Sequence, residues 1–483
     1  MVLVRGGEVF APEPLGRMDL LSLEGRIVHM APHIRPRSLP FPDLLTLEAK
    51  GRMVLPGFVD AHIHAAGAGG EGGFQNRTPP ARLTDLSMAG TTTFVGLLGT
   101  DSVTRSPVSL LADVRRLTRE GLQGYIYTGA YWLKGATLTG SVRLDLVMVD
   151  EVLGCGEVAI SDSRGADPDP ADIARYAREV RVGALLAGKK GVLHLHMGDE
   201  DTGLDPVMEA VRRSHLPIGI FHPTHLNRNP GLMKASFEFL EAGGTVDITA
   251  GITPNPPHDT LPTAPAKAIK ILLHSGAPPE HITMSSDANG SSPVFDDEGR
   301  LIHLDVVRPS AVLEAFQDLV LREGVPIDLA LRFVSTNPAS NLGLLKKGYL
   351  GIGSDADLLI MDDHLEIHAV LARGRPLVLQ GRPVAFGTFE RSEAARRPTA
   401  SSYGPEARPP RSTAASFGMP VSEGVGTETT TGTSASSRGS SKGPASRMTD
   451  EMRSARTRPG SSSGRSGRST RSRSGPPQRP SDR

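Results

Sequence analysis

The feature that most constrains the fold of this chain is the alternation of short apolar runs with helical segments. Eight runs rich in β-forming residues recur about every 25 to 45 residues. They are "GFVDAHIH", "TTTFVGLLGTD", "GYIYTGAYW", "GEVAISDSR", "GVLHLHMGDE", "IGIFHPTHLN", "GTVDITAGI" and "ITMSSDANG". Eight strands alternating with helices over about 290 residues are typical of an α/β fold, the (β/α)8 TIM barrel. We therefore predict this barrel over residues 55–344. A doubly wound open sheet is the alternative, but no G-x-G-x-x-G motif opens the first unit.

The segments on either side of the predicted barrel have a different pattern. Residues 1–54 and 345–390 contain short alternating stretches punctuated by glycine, such as "SLEGRIVHMAP" and "AVLARGRPLVLQGRPV". This pattern is typical of β-hairpins. Because the two segments flank the barrel, we expect one small β domain built from both ends of the body.

The composition changes abruptly after Glu390. Residues 391–483 are rich in Ser, Thr, Gly, Arg and Pro and contain 17 Lys/Arg against 7 Asp/Glu. Since so few apolar side chains cannot offset the conformational entropy of ordering, we predict a disordered, basic tail. Its partner is unknown, and a solvated appendage is a simpler expectation than one that binds RNA or acidic proteins. The whole chain has no net charge, so the body is acidic by ten charges and no nucleic-acid partner is expected for it.

Cysteine content and hydropathy indicate a compartment. Cys155 is the only cysteine, which excludes an intrachain disulfide and agrees with a reducing environment. The sequence has no signal-peptide apolar region and no apolar span of about 18 residues. We therefore expect a cytoplasmic protein without a membrane partner.

Polar side chains cluster near the carboxyl ends of the predicted strands, where barrel enzymes keep their active sites. Six of them carry chemistry: His62, His64, Glu157, His196, His225 and Asp287. His62 and His64 point the same way, because residues i and i+2 of a strand share a face. Four imidazoles and two carboxylates supply enough ligands for two zinc-like ions. A carboxylate inside an apolar run needs a partner of opposite charge, so we interpret Glu157 as a bridge between two metal ions.

Other histidines compete for these positions. A single histidine on a strand usually packs in the core or lies at the surface, and we prefer that interpretation for His194, His215 and His222. His194 shares a strand face with His196, but the following "MGDE" favours His196. The sequence "PTHLNRN" likewise favours His225 over His222. Asp287 in "SSDANGS" has an alternative role as a turn-forming residue.

Several motifs resemble those of known enzymes. "LPGFVDAHIH", "GTVDITAGI", "SSDANGS" and "GSDADLLIMD" resemble the metal-dependent amidohydrolase superfamily. More narrowly, "GGEGG", "VGLLGTDSVTR", "AISDSR", "HMGDE", "PTHLNRN" and "FDDEG" resemble the isoaspartyl dipeptidases, or β-aspartyl peptidases, of that superfamily. The resemblance covers about residues 1–390 and does not extend to the tail.

The resemblance implies two Zn²⁺ ions per subunit. It assigns His62 and His64 to one ion, His196 and His225 to the other, and a carboxylate to the bridge. Many members of the family bridge the ions with a carboxylated lysine. This sequence has Glu157 instead, with one extra residue in "LGCGEV", and it has Ser163 where many members have a histidine before the arginine.

The resemblance also implies a mechanism. Hydroxide generated between the ions attacks the side-chain amide of an isoaspartyl residue. Asp287 contacts that hydroxide, accepts its proton and delivers it to the leaving amine. The hydroxyl of Tyr131 stabilises the developing oxyanion, although an interior aromatic role is its alternative.

Substrate recognition by family members implies five further contacts. Glu71 pairs with the substrate ammonium, and Arg164 and Arg228 bind carboxylates through their planar guanidinium groups. Thr100 and Ser291 match further polar contacts. The simpler alternatives are surface salt bridges for the two arginines and a flexible linker for the glycine-rich loop around Glu71.

The predicted function is therefore binuclear-zinc hydrolysis of the isopeptide bond of β-aspartyl dipeptides, by a homo-oligomeric metallopeptidase. One alternative is a cyclic-amide hydrolase of the dihydroorotase or hydantoinase type, which would have no need of Glu71. The other is a non-enzymatic amidohydrolase-like scaffold, which the basic Ser/Thr-rich tail fits but the complete ligand set argues against.

Overall fold

A computed structural model describes residues 1–35, 43–252, 262–295 and 301–390. The tail predicted to be disordered, residues 391–483, lies outside the described residues. The strands are β1 (Val2–Phe10), β2 (Pro14–Leu23), β3 (Arg26–Ala31), β4 (Leu45–Glu48), β5 (Met53–Pro56), β6 (Phe58–Ile63), β7 (Thr91–Gly96), β8 (Gln123–Thr128), β9 (Val152–Ile160), β10 (Val192–Met197), β11 (Phe221–Thr224), β12 (Val246–Thr249), β13 (Ile282–Ser285), β14 (Ser291–Phe295), β15 (Leu301–Val306), β16 (Leu358–Met361), β17 (Ile367–Ala372), β18 (Arg375–Leu379) and β19 (Arg382–Pro383).

The helices alternate with the middle strands. They are α1 (Leu83–Met88), α2 (Pro107–Glu120), α3 (Val142–Met148), α4 (Pro170–Ala187), α5 (Asp205–Ser214), α6 (Pro230–Glu241), α7 (Pro265–His274), α8 (Ala311–Leu321), α9 (Ile327–Leu331) and α10 (Asn337–Leu342). A π-helical turn, Arg332–Thr336, links α9 to α10. Within the described residues, no helix is long and apolar enough to cross a membrane.

Eight parallel strands, β6 to β13, coincide with the eight apolar runs of the sequence. Six of them form one sheet in the order β11-β10-β9-β8-β7-β6, and β12 pairs with β13 in parallel. Backbone contacts link these two groups. Ile63 and Ala288 form a parallel bridge at the end of β6, and the Leu226 N–H donates to the Asp247 carbonyl over 3.4 Å between β11 and β12. The structure therefore confirms the predicted parallel α/β sheet, and it also has a separate β sheet, as predicted.

Local sequence explains the long helix α4. The Asp169 side chain accepts from the N–H groups of Ala171 and Asp172, and Gly188 ends the helix in the left-handed region. Its buried side chains include Ile173, Ala177 and Val180 at spacings of four and three residues, and they pack in the apolar core shared with the parallel strands.

A second sheet of nine strands draws on both ends of the body. Its order is β19-β18-β17-β16-β5-β1-β2-β3, with β4 paired to β1. The junction is the antiparallel pair of β5 and β16. Beside it, the buried Lys347 ammonium lies 2.6 Å from an Asp357 oxygen and 2.9 Å from an Asp355 oxygen. This sheet has its own apolar core, which includes Val54, Leu358 and other side chains from both ends.

Candidate active site

Three predicted ligands meet at the junction of β6 and β13. His62 Nε2 lies 3.4 Å from His64 Nε2, because the two residues share a strand face. Asp287 Oδ1 lies 3.0 Å from His64 Nε2 and 3.3 Å from His62 Nε2. The Asp287 N–H donates to the His62 carbonyl over 3.1 Å, which holds the carboxylate against β6.

Glu157 lies at the centre of this group, with 2% of its surface exposed. Its Oε2 atom lies 3.0 Å from His196 Nδ1, 3.5 Å from His225 Nε2 and 3.6 Å from His62 Nε2. Its Oε1 atom lies 3.6 Å from His64 Nε2. One carboxylate therefore contacts all four predicted histidines. We refer to His62, His64, Glu157, His196, His225 and Asp287 as the ligand cluster.

A β-bulge aims Glu157 into the ligand cluster. Strands β9 and β10 pair in register up to Cys155 and again from Val158, so Gly156 and Glu157 both face His194. A side chain at position 156 would not fit, because its Cβ would lie 2.5 Å from the His194 carbonyl oxygen. From the sequence we predicted that Glu157 ends its strand, and this prediction is wrong. The strand continues to Ile160, and the bulge lies within "LGCGEV".

Mutual contacts set the charges in the ligand cluster. Burial alone would raise the pKa of Glu157, but His62 and His196 outweigh it and hold the pKa well below its usual range. Burial would lower the pKa of His62, but Glu157 and Asp287 outweigh it and raise the pKa to about 9. Hydrogen bonds from His62 and His64 likewise hold the pKa of Asp287 low against the effect of burial. Both carboxylates are therefore ionised and can act as ligands.

The cluster fits divalent cations by its geometry and donor chemistry. His62, His64 and Asp287 offer ligand atoms within 4.8 Å of one another, and so do His62, Glu157 and His225. Imidazole nitrogens and carboxylate oxygens form the donor set that zinc commonly takes. His196 joins neither group of three, although its Nδ1 contacts Glu157.

A hydrogen-bonded network lies beneath the ligand cluster. We call it the floor network; its residues are His194, His222, Thr283, Asp247, Ser285, Thr224 and Thr249, all fully buried. His62 Nδ1 lies 2.9 Å from His194 Nε2, and His194 Nδ1 lies 3.1 Å from His222 Nδ1. Burial lowers the pKa of His222 to about 4 and that of His194 well below its usual value, so both rings are neutral.

The other half of the floor network reaches His225. His222 Nε2 lies 3.1 Å from the Thr283 hydroxyl, which donates to Asp247 Oδ1 over 2.6 Å. The Thr249 hydroxyl lies 2.8 Å from His225 Nδ1. His194 and His222 were interpreted as core or surface histidines, and they do lie in the core. The sequence analysis did not predict that these two histidines are connected to the ligand His62. The H-x-H pattern of His194 and His196 on β10 could have indicated it. His215 is exposed at the end of α5.

Charged side chains line the opposite side of the cluster. We call this group the mouth cluster; it comprises Glu71, Tyr131, Asp162, Arg164 and Ser291. Asp162 Oδ2 accepts from Arg164 Nη2 over 2.7 Å and from the Tyr131 hydroxyl over 3.2 Å. The same oxygen lies 2.9 Å from His196 Nε2. Burial raises the pKa of Tyr131 well above its usual value, so its hydroxyl keeps a proton to donate.

The mouth cluster extends to the glycine-rich loop. The Ser291 hydroxyl lies 3.2 and 3.3 Å from the two Glu71 oxygens, which share its single hydrogen, and Arg164 Nη1 lies 3.8 Å from Glu71. Sequence reasoning missed Asp162, whose signal was an acid two residues before the arginine in "SDSR". Ser163, the residue that departs from the family pattern, is exposed between them.

Two further predicted substrate contacts, Arg228 and Thr100, adjoin the ligand cluster through the backbone, and the Arg228 N–H donates to the His225 carbonyl over 2.9 Å. Arg228 has one guanidinium nitrogen 3.6 Å from an Asp199 oxygen, while its buried Nε atom has no hydrogen-bond partner among the described residues. Thr100 follows Gly99, whose backbone approaches the cluster so closely that an added Cβ would lie 2.7 Å from His64 Cε1.

Known proteins share this architecture, although no protein-family model matches the chain. The crystal structure of a β-aspartyl dipeptidase from Fervidobacterium islandicum AW-1, in complex with β-Asp-Leu, is 35% identical with a TM-score of 0.74, covering 80% of this chain and all of that one. A D-hydantoinase from Thermus sp. is 15% identical with a TM-score of 0.60, covering 80% and 98%, and shares the fold. An allantoinase from Deinococcus radiodurans is 24% identical over 407 residues, 74% of this chain and 86% of the relative. With 35% identity over the whole of a solved relative, the chain belongs to the β-aspartyl dipeptidase family of the amidohydrolase superfamily.

Proposed function

We propose that this protein is a binuclear-zinc hydrolase that cleaves the isopeptide bond of β-aspartyl dipeptides. The observation that carries the proposal is the contact of one buried carboxylate, Glu157, with four imidazoles, beside the second carboxylate of Asp287. The β-aspartyl dipeptidase that is 35% identical to this chain holds β-Asp-Leu in its crystal structure, which supports the same substrate class.

The ligand cluster would hold the two ions. We assign His62 and His64 to one ion, His196 and His225 to the other, and Glu157 to the bridge. When bound, such ions polarise the scissile carbonyl and make water a nucleophile at neutral pH. Glu157 supplies its own carboxylate, so the bridge needs no carboxylated lysine.

Asp287 and Tyr131 would move and stabilise charge during the reaction. We propose that Asp287 accepts a proton from the attacking water and delivers it to the leaving amine. The Tyr131 hydroxyl, which is buried and keeps its proton, would donate to the oxyanion that develops on the side-chain carbonyl.

The mouth cluster would recognise the charged groups of the dipeptide. Glu71 accepts a hydrogen bond from Ser291 and lies near Arg164, and we propose that the substrate ammonium adds the main positive partner. Arg164 and Arg228 would bind the two carboxylates. Thr100, beside the cluster, would supply a further polar contact. A cyclic amide without a free ammonium makes no use of Glu71, and for this reason we prefer the dipeptide.

We also propose the finer organisation of the chain. Residues 55–344 would form a closed (β/α)8 barrel, residues 1–54 and 345–390 one small β domain, and residues 391–483 a tail without a catalytic role. The enzyme would act in the cytoplasm as a homo-oligomer, with small dipeptides as its partners. No nucleic-acid or membrane partner is proposed for the body.

The test is to strip the full chain of metal, reload it with zinc, and measure zinc per chain and hydrolysis of β-Asp-Leu, dihydroorotate and hydantoin. We expect two zinc ions and selective cleavage of β-Asp-Leu. The matched control is Asp287→Asn, which should keep its zinc but lose about 10²- to 10⁴-fold in kcat, because an amide cannot shuttle the proton. Faster turnover of a cyclic amide would identify a cyclic-amide hydrolase. Absence of zinc and of hydrolysis would indicate a scaffold.

A further inference from the structure

We propose that the buried carboxylate of Asp247 fixes a proton on Nδ1 of two ligand histidines, so that His62 and His225 each direct Nε2 at the ligand cluster as the nitrogen available to a metal ion. Asp247, His194 and the other floor residues are then positioning residues, which act on the chemistry through the ligands. The consequence for metal binding rests on the proposed function, whereas the tautomers themselves do not.

The argument begins at Asp247, which is fully buried. Its Oδ1 atom accepts from the Thr283 hydroxyl over 2.6 Å, and its Oδ2 atom accepts from Thr224 over 2.7 Å and from Ser285 over 2.6 Å. A carboxylate accepts hydrogen bonds and has none to donate, while a hydroxyl has a single hydrogen. Each of these three hydroxyls therefore directs its only hydrogen at Asp247, which for Thr283 is a shorter contact than the 3.2 Å to the Val246 carbonyl.

The first branch runs from Thr283 to His62. Because the Thr283 hydrogen points to Asp247, the hydroxyl oxygen can only accept from His222 Nε2, 3.1 Å away. A neutral imidazole carries one N–H, so His222 Nδ1 is an acceptor. His194 Nδ1 must then donate to it over 3.1 Å, which leaves His194 Nε2 as an acceptor for His62 Nδ1 over 2.9 Å. His62 therefore carries a proton on Nδ1, and Nε2, the atom that faces the carboxylates, is the nitrogen that can give up its proton to a metal ion.

The second branch runs from Thr224 to His225. The hydroxyls of Thr224 and Thr249 lie 3.3 Å apart. Since the Thr224 hydrogen points to Asp247, the Thr224 oxygen is open to the Thr249 hydrogen. With the Thr249 hydrogen directed at Thr224, the Thr249 oxygen accepts from His225 Nδ1 over 2.8 Å. The lone pair of His225 is left on Nε2, which lies 3.5 Å from Glu157 Oε2.

Both branches deliver the same result at the ligand cluster. A histidine binds a metal ion through an unprotonated nitrogen, and a hydrogen bond to its other nitrogen fixes both the tautomer and the ring orientation. One carboxylate therefore aligns a ligand from each of the two proposed zinc ions. Its effect passes through neutral groups that are closed to solvent.

The principal test is Asp247→Asn, which keeps the shape of the side chain but introduces hydrogen-bond donors. An amide N–H directed at Thr283 or Thr224 forces that hydroxyl to point its hydrogen away, which reverses the branch. We expect zinc affinity, measured by chelator competition, to fall about 10- to 100-fold, the usual loss when a partner of a metal-bound histidine is removed. In the metal-free protein labelled with ¹⁵N-histidine, we expect NMR to show a proton on Nδ1 of both His62 and His225 in the wild type, and its loss from Nδ1 of one or both rings in the variant.

Two further variants separate the branches and cover the case in which Asp247→Asn fails to fold. Thr283→Val removes only the acceptor of the His222 branch, and Thr249→Val removes only the acceptor of His225. We expect Thr283→Val to alter the tautomer of His62 alone and Thr249→Val that of His225 alone, each with weaker zinc binding.

The matched control is Asp145→Asn. Asp145 is also a fully buried carboxylate that accepts from hydroxyls, those of Thr128 and Thr139, but none of its hydrogen-bond partners is a ligand histidine. We expect lower thermal stability with unchanged zinc affinity and tautomers. A wild-type protein whose His62 carries no proton on Nδ1, or an Asp247→Asn variant with wild-type tautomers and zinc affinity, would overturn the inference. Wild-type protein that has the expected tautomers but binds no zinc would contradict the proposed function alone.

Discussion

The floor network and the mouth cluster contact the ligand cluster from opposite sides by different chemistry. The floor reaches His62 and His225 through neutral imidazoles and hydroxyls that end at one carboxylate. The mouth reaches His196 directly through the carboxylate of Asp162, which also binds the Arg164 guanidinium. Neutral groups make up the floor apart from Asp247, whereas charged groups lie where, under the proposed function, a charged dipeptide would bind.

The difference also decides which ring nitrogen faces Glu157. His225 is held at Nδ1 and presents Nε2, whereas His196 is held at Nε2 by Asp162 and presents Nδ1. Because Asp162 also contacts Tyr131 and Arg164, changes at the mouth should alter substrate binding and His196 together. Substitutions in the floor network should weaken metal binding but leave the substrate contacts of the mouth cluster unchanged.

The largest effect is expected for Glu157→Gln, because Glu157 contacts histidines held by both regions. A neutral amide bridges two cations poorly, so at least one zinc ion should bind more than about 100-fold more weakly, beyond the usual cost of losing an outer hydrogen-bond partner. Zinc content and β-Asp-Leu hydrolysis measure this. In the wild type, neither value should depend on added bicarbonate, since no lysine needs to be carboxylated. Two tightly bound zinc ions in the variant would remove Glu157 from the bridge.

A smaller, substrate-selective effect is expected for Glu71→Gln at the mouth. Losing a carboxylate that pairs with an ammonium should cost about 2 to 4 kcal/mol, or about 30- to 1000-fold in kcat/KM for β-Asp-Leu. N-acetyl-β-Asp-Leu, which lacks the ammonium, should be much less affected, and zinc content should not change. The floor variant Thr249→Val provides the contrast, since it should slow both substrates alike. Equal losses on the two substrates in Glu71→Gln would reject this role of the mouth.

The smallest effect is expected for Asp162→Asn, which tests whether the two regions are separable. The amide oxygen can still accept one hydrogen bond, but the charged contact to Arg164 is lost, so KM for β-Asp-Leu should rise about 10-fold. Zinc affinity should fall less than in Asp247→Asn. The control is Asp199→Asn, because Asp199 is exposed and pairs only loosely with Arg228, over 3.6 Å. A larger loss of zinc affinity in Asp162→Asn than in Asp247→Asn would show that the mouth and the floor do not act separately.

Much of the fold was predictable because its signals are local. The eight parallel strands follow from short apolar runs, and α4 follows from Asp169 at its start and Gly188 at its end. Five residues of the ligand cluster were predictable because side chains near the carboxyl ends of neighbouring parallel strands come close together, whereas Glu157 reaches them from within β9 through the bulge. Their metal-binding roles stay a prediction.

The sequence by itself determined the chemistry of this protein: four imidazoles, two carboxylates and the strands that bring them to one place. Only the tertiary structure decided how those groups are aimed. The bulge that turns Glu157 inward depends on the pairing of β9 with β10, and the floor network joins His62 to His194 across 132 residues of chain. The direction of a hydrogen bond depends on which atoms of distant segments come within about 3 Å of each other, and no local pattern of residues records that distance.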